Sequence, residues 1–181
     1  GTYLIAGALI GKKLVIKNIE PKILKCEINT LKKMGVKSII NQDSISILKS
    51  ESLNKINVST KPYPGFPTDL QAQLMVLMTR AKGLSKIKEN IFENRFMHVA
   101  ELNRMGAKIL IRGNRAIIDG NTKFAAAELM ATDLRASVSL VLAALTTRGK
   151  SLINRIYHLD RGYENIEKKL QKIGAKIRRI N

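Results

Sequence analysis

Apolar residues recur along this chain in a pattern that repeats. Two stretches, Leu74 to Met78 and residues 134–145, are apolar nearly all round, which predicts helices buried in protein on every side. Other stretches are one-sided. Leu24, Ile28 and Leu31 fall on one helical face, as do Ile166, Leu170 and Ile173, with lysines opposite. Between them lie short β-branched runs that read as strands: Leu14-Val15-Ile16, Ser38-Ile39-Ile40, Ile45-Ser46-Ile47, Ser85-Lys86-Ile87, Ile109-Leu110-Ile111, Ala116-Ile117-Ile118 and Leu152-Ile153.

The elements come in the same order three times. Thr2-Tyr3-Leu4-Ile5-Ala6, Thr68-Asp69-Leu70-Gln71-Ala72 and Thr132-Asp133-Leu134-Arg135-Ala136 share Thr-x-Leu-x-Ala. Each leads through apolar residues to a glycine (Gly11, Gly83, Gly149) and a strand. Each second helix then stops at a further glycine: Lys33-Met34-Gly35, Arg104-Met105-Gly106, Lys172-Ile173-Gly174. Hairpins are expected at Asn41 to Asp43 and at Gly113-Asn114. An opening strand is expected at Val58-Ser59-Thr60 and around Lys123-Phe124, and a closing one after Gly174. The pattern predicts one α/β domain of βαβαββ-type repeats at about 1–56, 57–121 and 122–181, with apolar helices at the centre. The first repeat has no opening strand and the last ends just after its third, as in a piece of a longer protein.

Composition narrows the class. With 181 residues, 45% hydrophobic and 25% charged, the chain can bury a real core. No stretch reaches bilayer length and no leader is recognisable, so a cytoplasmic location without membrane contact is expected. A single cysteine, Cys26, allows no internal disulfide. It lies in a helix without a nearby histidine and is read as structural. The net charge of +18 would suit nucleic acid, but the lysines are spread through every segment. Aromatics are 4% and tryptophan is absent, so a nucleic-acid partner is not expected. The charge also suits a small phosphorylated ligand.

Candidate chemistry collects at helix mouths. The loop Pro62-Tyr63-Pro64-Gly65-Phe66-Pro67 is stiffened by its prolines and delivers Thr68-Asp69 to a buried helix. Asp133 and Arg135 occupy the equivalent mouth. Their bland reading is a capping acid and an ion pair, as capping is for Asp69. Ile91-Phe92-Glu93-Asn94-Arg95-Phe96-Met97-His98 and Ile156-Tyr157-His158-Leu159-Asp160-Arg161-Gly162-Tyr163-Glu164 load two strand-to-helix joins with polar groups. Arginines there suit capture of phosphate or carboxylate. His98 and His158 lack metal spacing and are read as hydrogen-bonded structural histidines, and no metal or cofactor is expected.

Four phrases, Pro67 to Gln73, Phe92 to His98, Ala131 to Ser137 and Arg155 to Glu164, together resemble the enolpyruvyl transferases, in particular the nucleotide-sugar branch. The resemblance runs the whole length of the chain. It implies an inside-out α/β barrel of two similar domains with substrates in the cleft between them, this chain being the C-terminal one. The implied reaction moves the enolpyruvyl group of phosphoenolpyruvate to the 3-hydroxyl of UDP-N-acetylglucosamine, with release of phosphate, at the start of peptidoglycan synthesis. By resemblance, Asp69 holds and deprotonates that hydroxyl and the Ile91 backbone contacts the nucleotide sugar. Arg135 and Arg161 clamp the anionic partner with Arg95 near them, and Asp133 is a second cleft acid. The family's reactive cysteine belongs to the other domain and is not matched by Cys26. Shikimate-pathway enolpyruvyl transfer, and an RNA-binding domain similar to RNA 3′-terminal phosphate cyclase, are the alternatives.

Overall fold

A computed structural model describes residues 1–180, and the apolar helices lie innermost in it. The first unit runs α1 (Thr2–Ile10), β1 (Lys13–Lys17), a 3-10 turn at Pro21–Leu24, α2 (Lys25–Lys33), β2 (Ser38–Ile40) and β3 (Ser44–Leu48). A short strand β4 (Leu53–Asn54) leads to the second unit: β5 (Asn57–Ser59), a 3-10 turn at Thr68–Leu70, α3 (Gln71–Met78), β6 (Ala81–Lys82), β7 (Leu84–Lys88), α4 (His98–Arg104), β8 (Lys108–Arg112) and β9 (Arg115–Asp119). The third has β10 (Glu128–Met130), α5 (Leu134–Ala144), β11 (Leu152–Asn154), α6 (Tyr157–Asp160) and α7 (Ile166–Lys172).

Every residue of α3 is buried, and α3 packs against both α1 and α5. With no polar face to offer water, these helices can only occupy the centre. The sheets surround them. In the second unit the order is β5-β7-β9-β8, with β5 and β7 parallel across the α3 crossover and the remaining pairs antiparallel. This is the expected βαβαββ unit in full. The first unit shows β1-β3-β2, wholly antiparallel, and among the described residues the third shows only the parallel pair β10-β11. The β4–β6 pair ties the end of the first unit to the second, and Gly120 is held so close to it that a Cβ would meet the Ala81 carbonyl oxygen.

The repeat extends to the hydrogen bonds that stop the outer helices. Gly35, Gly106 and Gly174 have φ of 86°, 99° and 95°. Their N–H groups bond Lys32, Asn103 and Gln171, while the following N–H groups of Val36, Ala107 and Ala175 reach back to Leu31, Leu102 and Leu170. All are Schellman closures, which need a residue at positive φ and so take glycine.

Three expectations are corrected. The opening strand of the third unit is Glu128–Met130; around Lys123-Phe124 the chain instead buries the Phe124 ring in the core and makes a single bridge from Ala125 to Arg148. No strand forms after Gly174 among the described residues. In the second unit the corresponding strand, β8, pairs with β9 and not with β7. Finally, Ile173 does not continue the buried face of α7, because the helix stops at Lys172. Ala175 and Ile177 pack against the Ile166–Leu170 cluster, while Ile173 is exposed.

Candidate functional site

Asp69 lies at the mouth of α3. The loop before it closes on itself through the Lys61 N–H to the Phe66 carbonyl and the Gly65 N–H to the Pro62 carbonyl, with the Phe66 ring buried beneath as an anchor. The chain then enters the 3-10 turn Thr68–Leu70. The Asp69 side chain caps neither this turn nor α3, which overturns the bland reading. Its Oδ1 accepts instead from Arg95 Nη2 at 3.1 Å and from Arg135 Nε at 3.0 Å, with Arg135 Nη2 2.9 Å away in the same ion pair. The Arg95 guanidinium also lies 4.6 Å over the Phe92 ring, which steadies it without using its donors.

Asp133 is the capping acid. It accepts from the Arg135 and Ala136 N–H groups at 2.7 and 2.9 Å, satisfying the first turn of α5. That cap points the Arg135 side chain away from Asp133 and onto Asp69, 66 positions earlier. The expected local Asp133–Arg135 ion pair therefore does not form.

A second group sits beneath Asp69. Gln73 Nε2 donates to the Asp69 carbonyl at 3.1 Å and lies 3.3 and 3.4 Å from Thr2 Oγ1 and the Tyr163 hydroxyl, which are themselves 2.8 Å apart. One residue from each unit meets here. Tyr163 thereby anchors the α6–α7 join beside Asp69, and Arg161 precedes it by two residues, exposed and without a carboxylate partner among the described residues. Around one carboxylate the fold thus gathers Arg95 and Arg135 directly, with Arg161 on the neighbouring join. The excess positive charge favours an anionic ligand.

Sequence reasoning passed over Glu89. It is 2% exposed, and its carboxylate accepts from Thr60 and Thr68 hydroxyls and from the N–H groups of Ile91 and Phe92. The Ile91 N–H is thus committed, so a ligand at Ile91 would meet its carbonyl. A glutamate directly after a strand, in a segment otherwise rich in lysine, was the available signal.

The remaining candidates make no hydrogen bond to Asp69, Arg95 or Arg135, although His98 lies close enough to Asp133 and Arg95 to feel their charges. His98 is buried with Nε2 unpartnered, not hydrogen-bonded there as expected, and burial pushes its pKa down to about 4. His158 Nε2 is likewise unpartnered and its ring packs 4.2 Å from Tyr157. Cys26 lies in the first turn of α2, where burial and then Glu27 push its thiol pKa up, away from a reactive thiolate. Among the described residues no group of acidic, histidine or cysteine side chains could hold a metal, and no helix is long and apolar enough to cross a membrane. A depression of about 330 Å³ lined by Leu84, Lys108, Leu110 and Ile117 lies on the four-stranded sheet and includes none of the candidate residues.

A family model described as EPSP synthase (3-phosphoshikimate 1-carboxyvinyltransferase) matches residues 1–170. The chain belongs to this family of enolpyruvyl transferases. Among other enolpyruvyl transferases it is 68% identical over 181 residues to the UDP-N-acetylglucosamine 1-carboxyvinyltransferase of Pelagibacter ubique (strain HTCC1062), covering 100% of this chain and 43% of that protein. It is 53% identical over 182 residues to the protein of the same name from Rhodopseudomonas palustris (strain HaA2), of which it covers 42%. The chain thus spans less than half the length of these relatives. The crystal structure of the enolpyruvyl transferase NikO from Streptomyces tendae superposes with a TM-score of 0.91 at 30% identity, over 98% of this chain and 42% of that one. EPSP synthase from Acinetobacter baumannii shares the fold, with a TM-score of 0.76 at 20% identity over 99% of this chain and 46% of that one.

Proposed function

We propose that this enolpyruvyl transferase chain is the C-terminal half of a cytoplasmic UDP-N-acetylglucosamine 1-carboxyvinyltransferase of cell-wall synthesis, folded as one of two inside-out barrels. The observation that carries the reading is the Asp69 carboxylate, more than half exposed and held by Arg95 and Arg135, in a chain 68% identical to a relative of that name. The relatives' name favours the nucleotide sugar over shikimate 3-phosphate, and no relative described above is an RNA cyclase.

The chemistry follows from the residue types. Asp69 accepts the proton of the sugar 3-hydroxyl as its oxygen attacks C2 of phosphoenolpyruvate, while C3 gains a proton. The resulting tetrahedral carbon carries carboxylate and phosphate. Loss of a proton from C3 then restores the vinyl group and expels phosphate. Arg95, Arg135 and Arg161 offset the anionic charge of these species, and the Ile91 carbonyl and Asp133 line the sugar side. The Asp69 carboxylate is more than half exposed, so an arriving anion can compete for the arginines, most readily for Arg135, the more exposed of the two. The reactive cysteine comes from the other half.

The test is phosphate release by the full-length protein supplied with phosphoenolpyruvate and UDP-N-acetylglucosamine. Release should require the nucleotide sugar and should fall at least about 100-fold in Asp69→Ala. A folded full-length parent that releases no phosphate overturns the reading.

A further inference from the structure

Glu89 is a buried carboxylate that the proposed mechanism does not use. Its Oε1 accepts from Thr60 Oγ1 at 2.8 Å and from the N–H groups of Ile91 and Phe92 at 2.9 and 3.2 Å, and its Oε2 accepts from Thr68 Oγ1 at 3.0 Å. No cation pairs with it among the described residues. A buried charge without a counter-ion is costly and persists only where hydrogen bonds replace its water. Here four donors do so.

The scaffold does not ask for this charge. Glu89 caps no helix, since α3 begins before it and α4 begins at His98. The residue directly after the corresponding strand is Asn18 in the first unit and Arg155 in the third, so those units complete the same strand-to-helix join without a carboxylate. The unit that carries Asp69 is the one that has it.

What Glu89 joins is specific. Thr68 immediately precedes Asp69. Ile91 and Phe92 begin the loop that ends in Arg95, and the Phe92 ring supports the Arg95 guanidinium. Thr60 directly follows β5 and receives in turn the Asn90 N–H at 2.9 Å and, at its carbonyl, Asn90 Nδ2 at 3.1 Å. One carboxylate therefore sets the distance between the turn bearing Asp69 and the loop bearing Ile91 and Arg95.

We propose that Glu89 is a positioning residue that holds Asp69 and the Ile91 backbone in register with each other. This rests on the transferase reading. In the full-length protein, kcat and the KM for each substrate would be measured with the thermal midpoint for Glu89→Ala, Glu89→Gln and Thr68→Val. Glu89→Ala should lower kcat by roughly 100-fold, the scale of an ångström-sized misplacement, and raise the KM for the nucleotide sugar. Glu89→Gln should recover to within a few-fold of the parent, because its Oε1 keeps three donors while the Thr68 hydroxyl can rotate to accept from the amide. Thr68→Val removes only the bond to the Asp69 turn and should lower kcat about 10-fold with the fold intact, a readout that survives if Glu89→Ala does not fold.

A Thr68→Val variant with parental kcat overturns the positioning role while leaving the transferase reading in place. So do glutamine and alanine variants that lose thermal stability together at unchanged kcat. A folded parent without phosphate release sinks the transferase reading, and the positioning role with it.

Discussion

At the scale of single residues, side chains of one type part company according to their surroundings. Asp69 and Asp133 occupy equivalent places in the repeat, yet one faces guanidiniums from two units and the other faces two N–H groups of its own helix. Their identity was legible in the sequence; this division of labour was not, because Arg135 and Arg95 reach Asp69 only through the packing of α5 on α3 and of α4 on α5. His98 makes the same point for titration. Burial depresses its pKa from 6.5 to about 4, so the folded protein keeps it neutral while the unfolded chain protonates it first. Its contribution to stability is fully present above about pH 6.5 and is lost as pH falls toward 4, below which the effect levels off. The size is on the order of 3 kcal/mol. Urea unfolding at pH 7 and pH 4.5 should show this loss in the parent and a smaller one in His98→Gln.

At the scale of elements, the helices were the most readable part and the strand partners the least. An all-apolar helix has one possible location, and a glycine after a cationic last turn has one conformational use, so α3, α5 and the three Schellman stops follow from local sequence. A strand needs a neighbour. The stretch after Gly174 has the composition of β8, yet among the described residues it pairs with no strand. The cap of α5 gives an element-scale prediction. Asp133→Ala should cost about 1 kcal/mol in chemical denaturation, whereas Asp133→Asn, which keeps an acceptor for the Arg135 and Ala136 N–H groups, should cost little. Because the cap also aims Arg135, the alanine variant should release phosphate more slowly in the full-length protein, and an asparagine variant that is equally slow would assign the charge of Asp133 to the cleft itself.

At the scale of the whole molecule, the chain covers 43% of the Pelagibacter relative, and Arg95 and Arg135 converge on one open surface at Asp69. On the proposed reading such a surface is half of a cleft. The 181 residues alone should release no phosphate from phosphoenolpyruvate at ordinary enzyme rates, and adding the remainder of the protein should restore it; turnover by the isolated chain would show that this half suffices. The sequence by itself determined the repeat, the central helices, the outer helix stops and the residue types at the helix mouths, since these depend on periodicity and on backbone preferences within a few residues. Only the tertiary structure decided that Asp69, unlike Asp133, is a clamped carboxylate and not a cap, and that Glu89 is buried among four donors. The Arg135–Asp69, Thr60–Glu89 and Thr68–Glu89 contacts join residues 66, 29 and 21 positions apart, which packing brings together and local sequence does not encode.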